Sequence, residues 1–215
     1  MGEITLVRHG QANSAADNEI DYDRLSDLGR QQARWLGAWM AEHDKPYDHV
    51  YSGTLHRQMD TATEMGFPDA TRDARLNEIA YYDLTAEMEI YRPDLPRLSP
   101  EDFEVHFPET LTAWKDGHLK GQESWAGFIK RVAEILALAS QPGKRILCVT
   151  SGGIIARAVS QILGLDIPNM ARIAVPIYNT SVHRFHVRDY GPTLASFNSA
   201  PHLDVADRIE ARTYY

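Results

Sequence analysis

Arginine, histidine and glycine stand together as Arg8-His9-Gly10, directly after the apolar stretch Ile4-Thr5-Leu6-Val7. An imidazole at the carboxyl end of a buried strand, beside a guanidinium and a glycine that lets a ligand approach the backbone, can attack phosphorus directly. The chemistry implied is phosphoryl transfer through a phosphohistidine. A strand-terminal histidine can equally be a hydrogen-bonded structural residue, so the tripeptide gains weight only from what converges on it. Three further places supply candidates: Arg57 after Ser52-Gly53, Glu78 in Leu76-Asn77-Glu78, and Ser151-Gly152-Gly153 after Ile146-Leu147-Cys148-Val149. Two guanidinium forks match phosphoryl oxygens, a neutral imidazole supplies the nucleophile, and a carboxylic acid can protonate the leaving oxygen.

These residues must be carried by elements that meet at one edge. The chain reads as alternating strands and helices, which implies a mostly parallel sheet with helices on both faces and ligands at the carboxyl ends of its strands. After the first strand a polar loop runs through Asp23. Ser26 is then the expected N-cap of a helix carrying Leu28, Trp35, Leu36, Trp39 and Met40 toward a core. His49-Val50-Tyr51 reads as a strand, and residues 54–65 have helical spacing. Residues 80–121 differ in character, with Pro93, Pro96, Pro100 and Pro108, and with Ser99-Pro100-Glu101-Asp102 as a capped helix start. They are expected to be an irregular insertion over the site.

Ser124 opens a long helix whose face is Trp125, Phe128, Ile129, Val132, Ile135 and Leu136, ending near Pro142-Gly143. A continuous apolar strand over residues 145–149 leads into Thr150-Ser151-Gly152-Gly153 and a helix through Leu163. That turn puts backbone N–H groups and a positive dipole end at the strand's edge, a geometry suited to an anion. Residues 181–187 and 193–197, separated by Asp189-Tyr190-Gly191-Pro192, are expected to form a hairpin at the sheet edge.

Composition narrows the function classes. The 215 residues suffice for a single domain, 1–215, with the insertion at about 80–121. The formal net charge of -8 argues against a nucleic-acid partner, so any phosphate must be attracted by local arginines. No apolar run approaches a membrane span and no basic-then-apolar leader is present, making a cytoplasmic location the default expectation. The lone Cys148 sits in an apolar run and reads as a packing residue, and the nine histidines show no zinc-type spacing, so neither metal nor cofactor is expected.

The matching segments Leu6-Val7-Arg8-His9-Gly10-Gln11-Ala12, Leu25-Ser26-Asp27-Leu28-Gly29-Arg30-Gln31-Gln32-Ala33 and Ser52-Gly53-Thr54-Leu55-His56-Arg57-Gln58-Met59-Asp60-Thr61-Ala62 resemble those of the histidine phosphatase superfamily, also called the phosphoglycerate mutase-like family. The likeness continues through Leu76-Asn77-Glu78-Ile79, Thr150-Ser151-Gly152-Gly153-Ile154 and Asn179-Thr180-Ser181-Val182, in the family's order from residue 4 to about 203. The resemblance implies a three-layer α/β/α sandwich with His9 phosphorylated, Arg8 and Arg57 clamping the phosphoryl oxygens, and Glu78 as proton donor. Ser151 and Gly152 would add phosphate contacts. One position departs: the family pattern has a second histidine where this chain has Ser151. Losing one preorganised donor to developing charge costs on the order of 10² to 10³ in rate. The hydroxyl of Ser151 could instead cap the following helix or reach a phosphate oxygen.

Of the other histidines, His56 is about 100° around its helix from Arg57 and is expected to face elsewhere, and His183 is expected on a solvated edge strand. The functional expectation is a metal-free phosphatase, slow because of Ser151, acting on a small phosphorylated metabolite or a phosphoprotein. A catalytically impaired phosphate-binding protein and a phosphoglycerate mutase remain as alternatives. The edge hairpin offers a surface for a homo-oligomer.

Overall fold

A computed structural model of the protein describes residues 2–13, 16, 18–95 and 102–214. Strand β1 (Gly2–Arg8) is followed by the short helix α1 (Glu19–Tyr22) and by α2 (Asp27–His43). Next come β2 (His49–Ser52), α3 (His56–Glu64) and β3 (Thr71–Arg72), then α4 (Tyr81–Tyr91), α5 (Phe103–Lys115) and α6 (Trp125–Ala139). β4 (Arg145–Thr150), α7 (Gly152–Leu163), α8 (Ile167–Ala174), β5 (Val182–Arg188) and β6 (Gly191–Ser199) follow.

The six strands form one sheet in the order β3-β2-β4-β1-β5-β6, parallel from β3 through β1 and antiparallel beyond. Alternation along its central strands sets the layers. Ile4 and Leu6 of β1 and Ile146 and Cys148 of β4 pack with Phe128, Val132 and Ile155 from α6 and α7. Val7, Leu147 and Val149 point the other way, onto Ala33, Leu36 and Met40 of α2 and Ala62 of α3. Burial on both faces explains why β4 reads as a continuous apolar run rather than an alternating one. The result is a three-layer α/β/α sandwich, as the family resemblance implies.

The helices begin where their caps dictate. Ser26 Oγ accepts the Gly29 N–H at 3.0 Å and Ser124 Oγ accepts the Gly127 N–H at 3.1 Å, satisfying donors that the first turn leaves open. Gly164 closes α7 in the left-handed region at φ 67°, a conformation that favours glycine. Trp35 and Trp39 of α2 are half-buried and pack at the margins of smaller apolar clusters.

Residues 80–121 are more regular than their prolines suggest. Helices α4 and α5 occupy much of the segment, and Leu84, Met88, Phe107, Leu111 and Trp114 are buried in the same cluster as the sheet residues Ile4 and Ile146. Pro108 lies inside α5. Pro96 and the expected helix start at Ser99, Pro100 and Glu101 lie outside the described residues. The hairpin forms, but Gly191 and Pro192 belong to β6, and β5 pairs with β1, which leaves only β6 at the edge. No helix among the described residues is long and apolar enough to cross a membrane.

Candidate active site

The parallel register brings the ends of β1, β4 and β2 together. Arg8 lies opposite Thr150, the His9 N–H donates to the Thr150 carbonyl at 2.9 Å, and the Gly53 N–H donates to the Val149 carbonyl at 3.1 Å. Arg8, Arg57, Glu78, Gly152 and Gly153 line one cavity of about 640 Å³ at this edge. A second cavity of about 830 Å³ meets it at Glu19, Arg57 and Glu78. His9 and Ser151 are 2% and 0% exposed and are not part of the lining of either.

His9 Nδ1 lies 2.7 Å from the Gly10 carbonyl. A carbonyl only accepts, so Nδ1 carries the proton and Nε2 keeps its lone pair. Burial, then the charges of Arg57 and Arg8, hold the imidazole well below its usual pKa, so it is neutral and nucleophilic near neutral pH. The main chain around it is pinned. The His9 carbonyl accepts from Asn179 Nδ2 at 3.2 Å and from the Thr180 N–H at 3.3 Å, and Thr180 adopts φ 58° to make the turn. A threonine in that region is strained, and such strain persists where surrounding bonds over-determine it. Gly10 does not face a ligand as expected: a Cβ there would lie 2.4 Å from the Gly29 carbonyl oxygen, so this glycine permits backbone packing against α2.

Arg8 is anchored by main-chain carbonyls, donating through Nη1 to Ile177 and to Tyr214, the latter at 2.9 Å. Arg57, 1% exposed, donates through Nη1 to Asp23 Oδ1 at 3.1 Å and lies 3.9 Å from Glu19 Oε2. Asp23 also accepts the N–H groups of His56 at 2.9 Å and of Arg57 at 3.1 Å, replacing the side-chain cap that Leu55 at the start of α3 cannot supply. His56 itself is exposed and bonds Asp23 rather than turning into the 640 Å³ cavity. Tyr22 covers the pair, with the Arg57 guanidinium 4.9 Å from its ring centre and the His9 ring 6.5 Å away edge-on. Arg8 Nε and Arg57 Nε have no hydrogen-bond partner among the described residues. Both guanidinium groups line the same cavity and supply positive charge that an anion there can meet.

Glu78 is held by two amides, Ile79 N–H on Oε1 at 3.0 Å and Gly153 N–H on Oε2 at 2.9 Å. The start of α7 therefore meets a carboxylate of the protein itself. A Cβ on residue 153 would lie 2.4 Å from Glu78 Oε1. Gly153→Ala is expected to push Glu78 aside with the fold retained and, on the expectation that Glu78 is the proton donor, to lower kcat by about 10²-fold, the cost of a displacement of about 1 Å. Steady-state kinetics beside a thermal melt check it. Ser151 neither caps α7 through its side chain nor reaches the cavity lining: its Oγ accepts from Gln58 Nε2 at 2.8 Å.

A family profile described as histidine phosphatase superfamily (branch 1) matches residues 4–200. The chain belongs to this superfamily. It is 37% identical over 94 residues to a 2,3-bisphosphoglycerate-dependent phosphoglycerate mutase of Rhizobium johnstonii, covering 39% of this chain and 44% of that protein. The chain spans less than half the length of the curated relatives it matches. Its fold is shared with a mutant phosphoserine phosphatase of Entamoeba histolytica in complex with phosphoserine (TM-score 0.68, 23% identity, 94% of this chain and 100% of that one). It is shared equally with Bacillus stearothermophilus YhfR (TM-score 0.69, 20% identity, 94% and 99%).

Residues that sequence reasoning missed complete the site of this histidine phosphatase. Glu19, Tyr22 and Asp23 come from α1 and its end, a stretch expected to be loop. Its one local signal was Asn18, whose Oδ1 caps the Asp21 N–H at 2.9 Å. His183 is not solvated: it is fully buried on β5, between Ser181 Oγ at 2.9 Å and the Asn198 N–H at 3.2 Å. His202 is buried too, 2.8 Å from Thr180 Oγ1. Desolvation lowers both to about 3, with Arg8 adding to the shift at His183 and Arg208 at His202. The unfolded chain titrates histidine near 6.5, so below that pH it binds protons the native state refuses, and stability falls as the solution is acidified. At pH 5 each of these two removes about 2 kcal/mol, and His9 acts in the same direction. The urea midpoint should therefore drop between pH 7 and 5; a flat or rising midpoint contradicts the burial.

Proposed function

We propose that this histidine phosphatase is a metal-free phosphomonoesterase working through a phosphohistidine on His9. In the first half-reaction His9 Nε2 forms a bond to phosphorus, the ester P–O bond breaks, and Glu78 gives its proton to the departing alcohol oxygen. In the second, water attacks the phosphohistidine, its proton passes to Glu78, and inorganic phosphate leaves with the starting enzyme restored. Arg8 and Arg57 bind the transferring oxygens through their guanidinium groups, and Gly152 allows close approach beside Arg8, a Cβ there lying 3.7 Å from Arg8 Nε. Ser151, its hydroxyl bonded to Gln58 and outside the cavity lining, supplies no charged donor to the phosphoryl group, which makes for a slow enzyme.

The observation that carries this reading is the buried, neutral His9 with Nδ1 tied to a carbonyl and two arginines beside it. A cavity of about 640 Å³ is of a size for a small phosphorylated metabolite, which we favour over a phosphoprotein side chain. Residues of about 80–121 form the insertion that covers it, within a single domain, and a cytoplasmic location suits such a substrate. The test is intact-mass analysis after exposure to p-nitrophenyl phosphate. An acid-labile phosphoryl adduct on His9 together with released phosphate supports the proposal; thermal stabilisation by phosphate with neither adduct nor release supports a binding protein instead. Similarity to phosphoglycerate mutases over 94 residues favours a second reading, for which incubation with a phosphoglycerate would yield its isomer rather than free phosphate.

A further inference from the structure

The cavity carries a charge pattern that a bare phosphate does not explain. Arg8 and Arg57 line it with the half-buried Glu19 and the exposed Glu89, beside Glu78, the proposed proton donor, and a further carboxylate outside this lining, Asp23, is bonded to Arg57. Asp23 is the nearer partner of Arg57, at 3.1 Å against 3.9 Å for Glu19. Glu19 also accepts backbone N–H groups of Tyr81, at 3.1 Å on Oε1, and of Tyr82, while the exposed Glu89 makes no ion pair among the described residues. Burial raises the pKa of Glu19, against the lowering charge of Arg57, and Glu78 adds a smaller raising effect. A phosphomonoester adds up to two more negative charges to this space, on a chain whose net charge is already -8. Gathering them in a partly desolvated pocket is unfavourable unless a cation arrives with them.

Two independent features show that a ligand of mixed charge fits. Arg8 and Arg57, both more than nine-tenths buried, line the cavity with Nε atoms that have no hydrogen-bond partner among the described residues. Part of the lining is aromatic: Tyr81 packs with Phe103 and Phe107 at ring separations of 5.6 and 5.4 Å, and Tyr82 lies 6.2 Å from Tyr22. Ring faces attract ammonium groups and leave anions unsupported. Resting on the phosphomonoesterase reading above, we infer that the enzyme selects phosphate esters of alcohols that carry a positive charge, the ammonium being drawn to Glu19 and Glu89 while the phosphate meets Arg8 and Arg57.

The experiment compares kcat/KM, in EDTA-containing buffer near neutral pH, for O-phosphoethanolamine, ethyl phosphate and 2-phosphoglycolate, which bear a cation, no charge and an anion at the same end. The ammonium ester should exceed ethyl phosphate by about tenfold, and phosphoglycolate should fall below it. In the Glu19→Gln, Glu89→Gln double variant the first ratio should shrink to within about twofold of one. Because the readout is a ratio on one protein, partial loss of folded enzyme does not imitate the result. A ratio of one or less in the unaltered protein, or a ratio that survives the double variant, overturns the inference, while phosphate release from ethyl phosphate leaves the phosphatase reading intact. No release from any of the three, with no His9 adduct, removes that reading and the inference with it.

Discussion

His9→Ala is expected to lose phosphoryl transfer by a factor on the order of 10⁴ or more, with no acid-labile adduct formed. The nucleophile is the single atom that bonds to phosphorus, so no neighbouring group compensates for its removal. His183 is held by Ser181 and Asn198, His202 is buried with Nε2 on Thr180, and His56 is exposed and bound to Asp23. None is placed to take over. The fold should survive, because His9 is held mainly through its backbone, which the substitution leaves in place. Released phosphate and intact mass measure the effect; turnover near that of the unaltered protein would dismiss His9 as the nucleophile.

Arg57→Ala is expected to damage both stability and turnover. Asp23 and Glu19, with side chains 14% and 29% exposed, would lose the guanidinium that faces them. Removing one partner of a largely buried pair costs about 3 kcal/mol, because the other charge stays desolvated. For a chain of this size that is a Tm drop of roughly 6–12 °C. Turnover should fall by about 10³-fold through loss of one transition-state donor. Arg57→Lys separates the two effects: a restored charge recovers most of the stability, while the lost planar fork keeps activity low. Thermal melts and kinetics on the two variants decide it, and an unchanged Tm in Arg57→Ala would show that Asp23 is carried by the α3 amides alone.

The main architecture was legible because it rests on local signals. Ser26 and Ser124 announce their helices, and the apolar runs at residues 4–7 and 145–149 announce strands buried on both faces. Arg8, Arg57, Glu78 and Gly152 were legible for a related reason: each follows a strand, and parallel strands end at one edge. What escaped was non-local. The four residues of α1 show no periodicity, and nothing in their spacing tells that Asp23 caps a helix 33 residues away and orients Arg57. His183 looked solvated because alternation alone does not say how many strands lie beyond it; β6 covers that side. Ser151 was judged between two roles, yet took a third because Gln58, distant in sequence, reaches its hydroxyl.

The anchoring of Arg8 carries a consequence for biosynthesis. Its carbonyl partners, Ile177 and Tyr214, lie 169 and 206 residues downstream, and the Asn179 N–H that braces the same turn donates to the Thr213 carbonyl at 2.7 Å. A ribosome adding about 5–20 residues per second delivers those partners many seconds after the RHG turn has emerged. The turn at Arg8 and His9 thus closes on these partners only after β1, β2, β3 and β4 have all been synthesised.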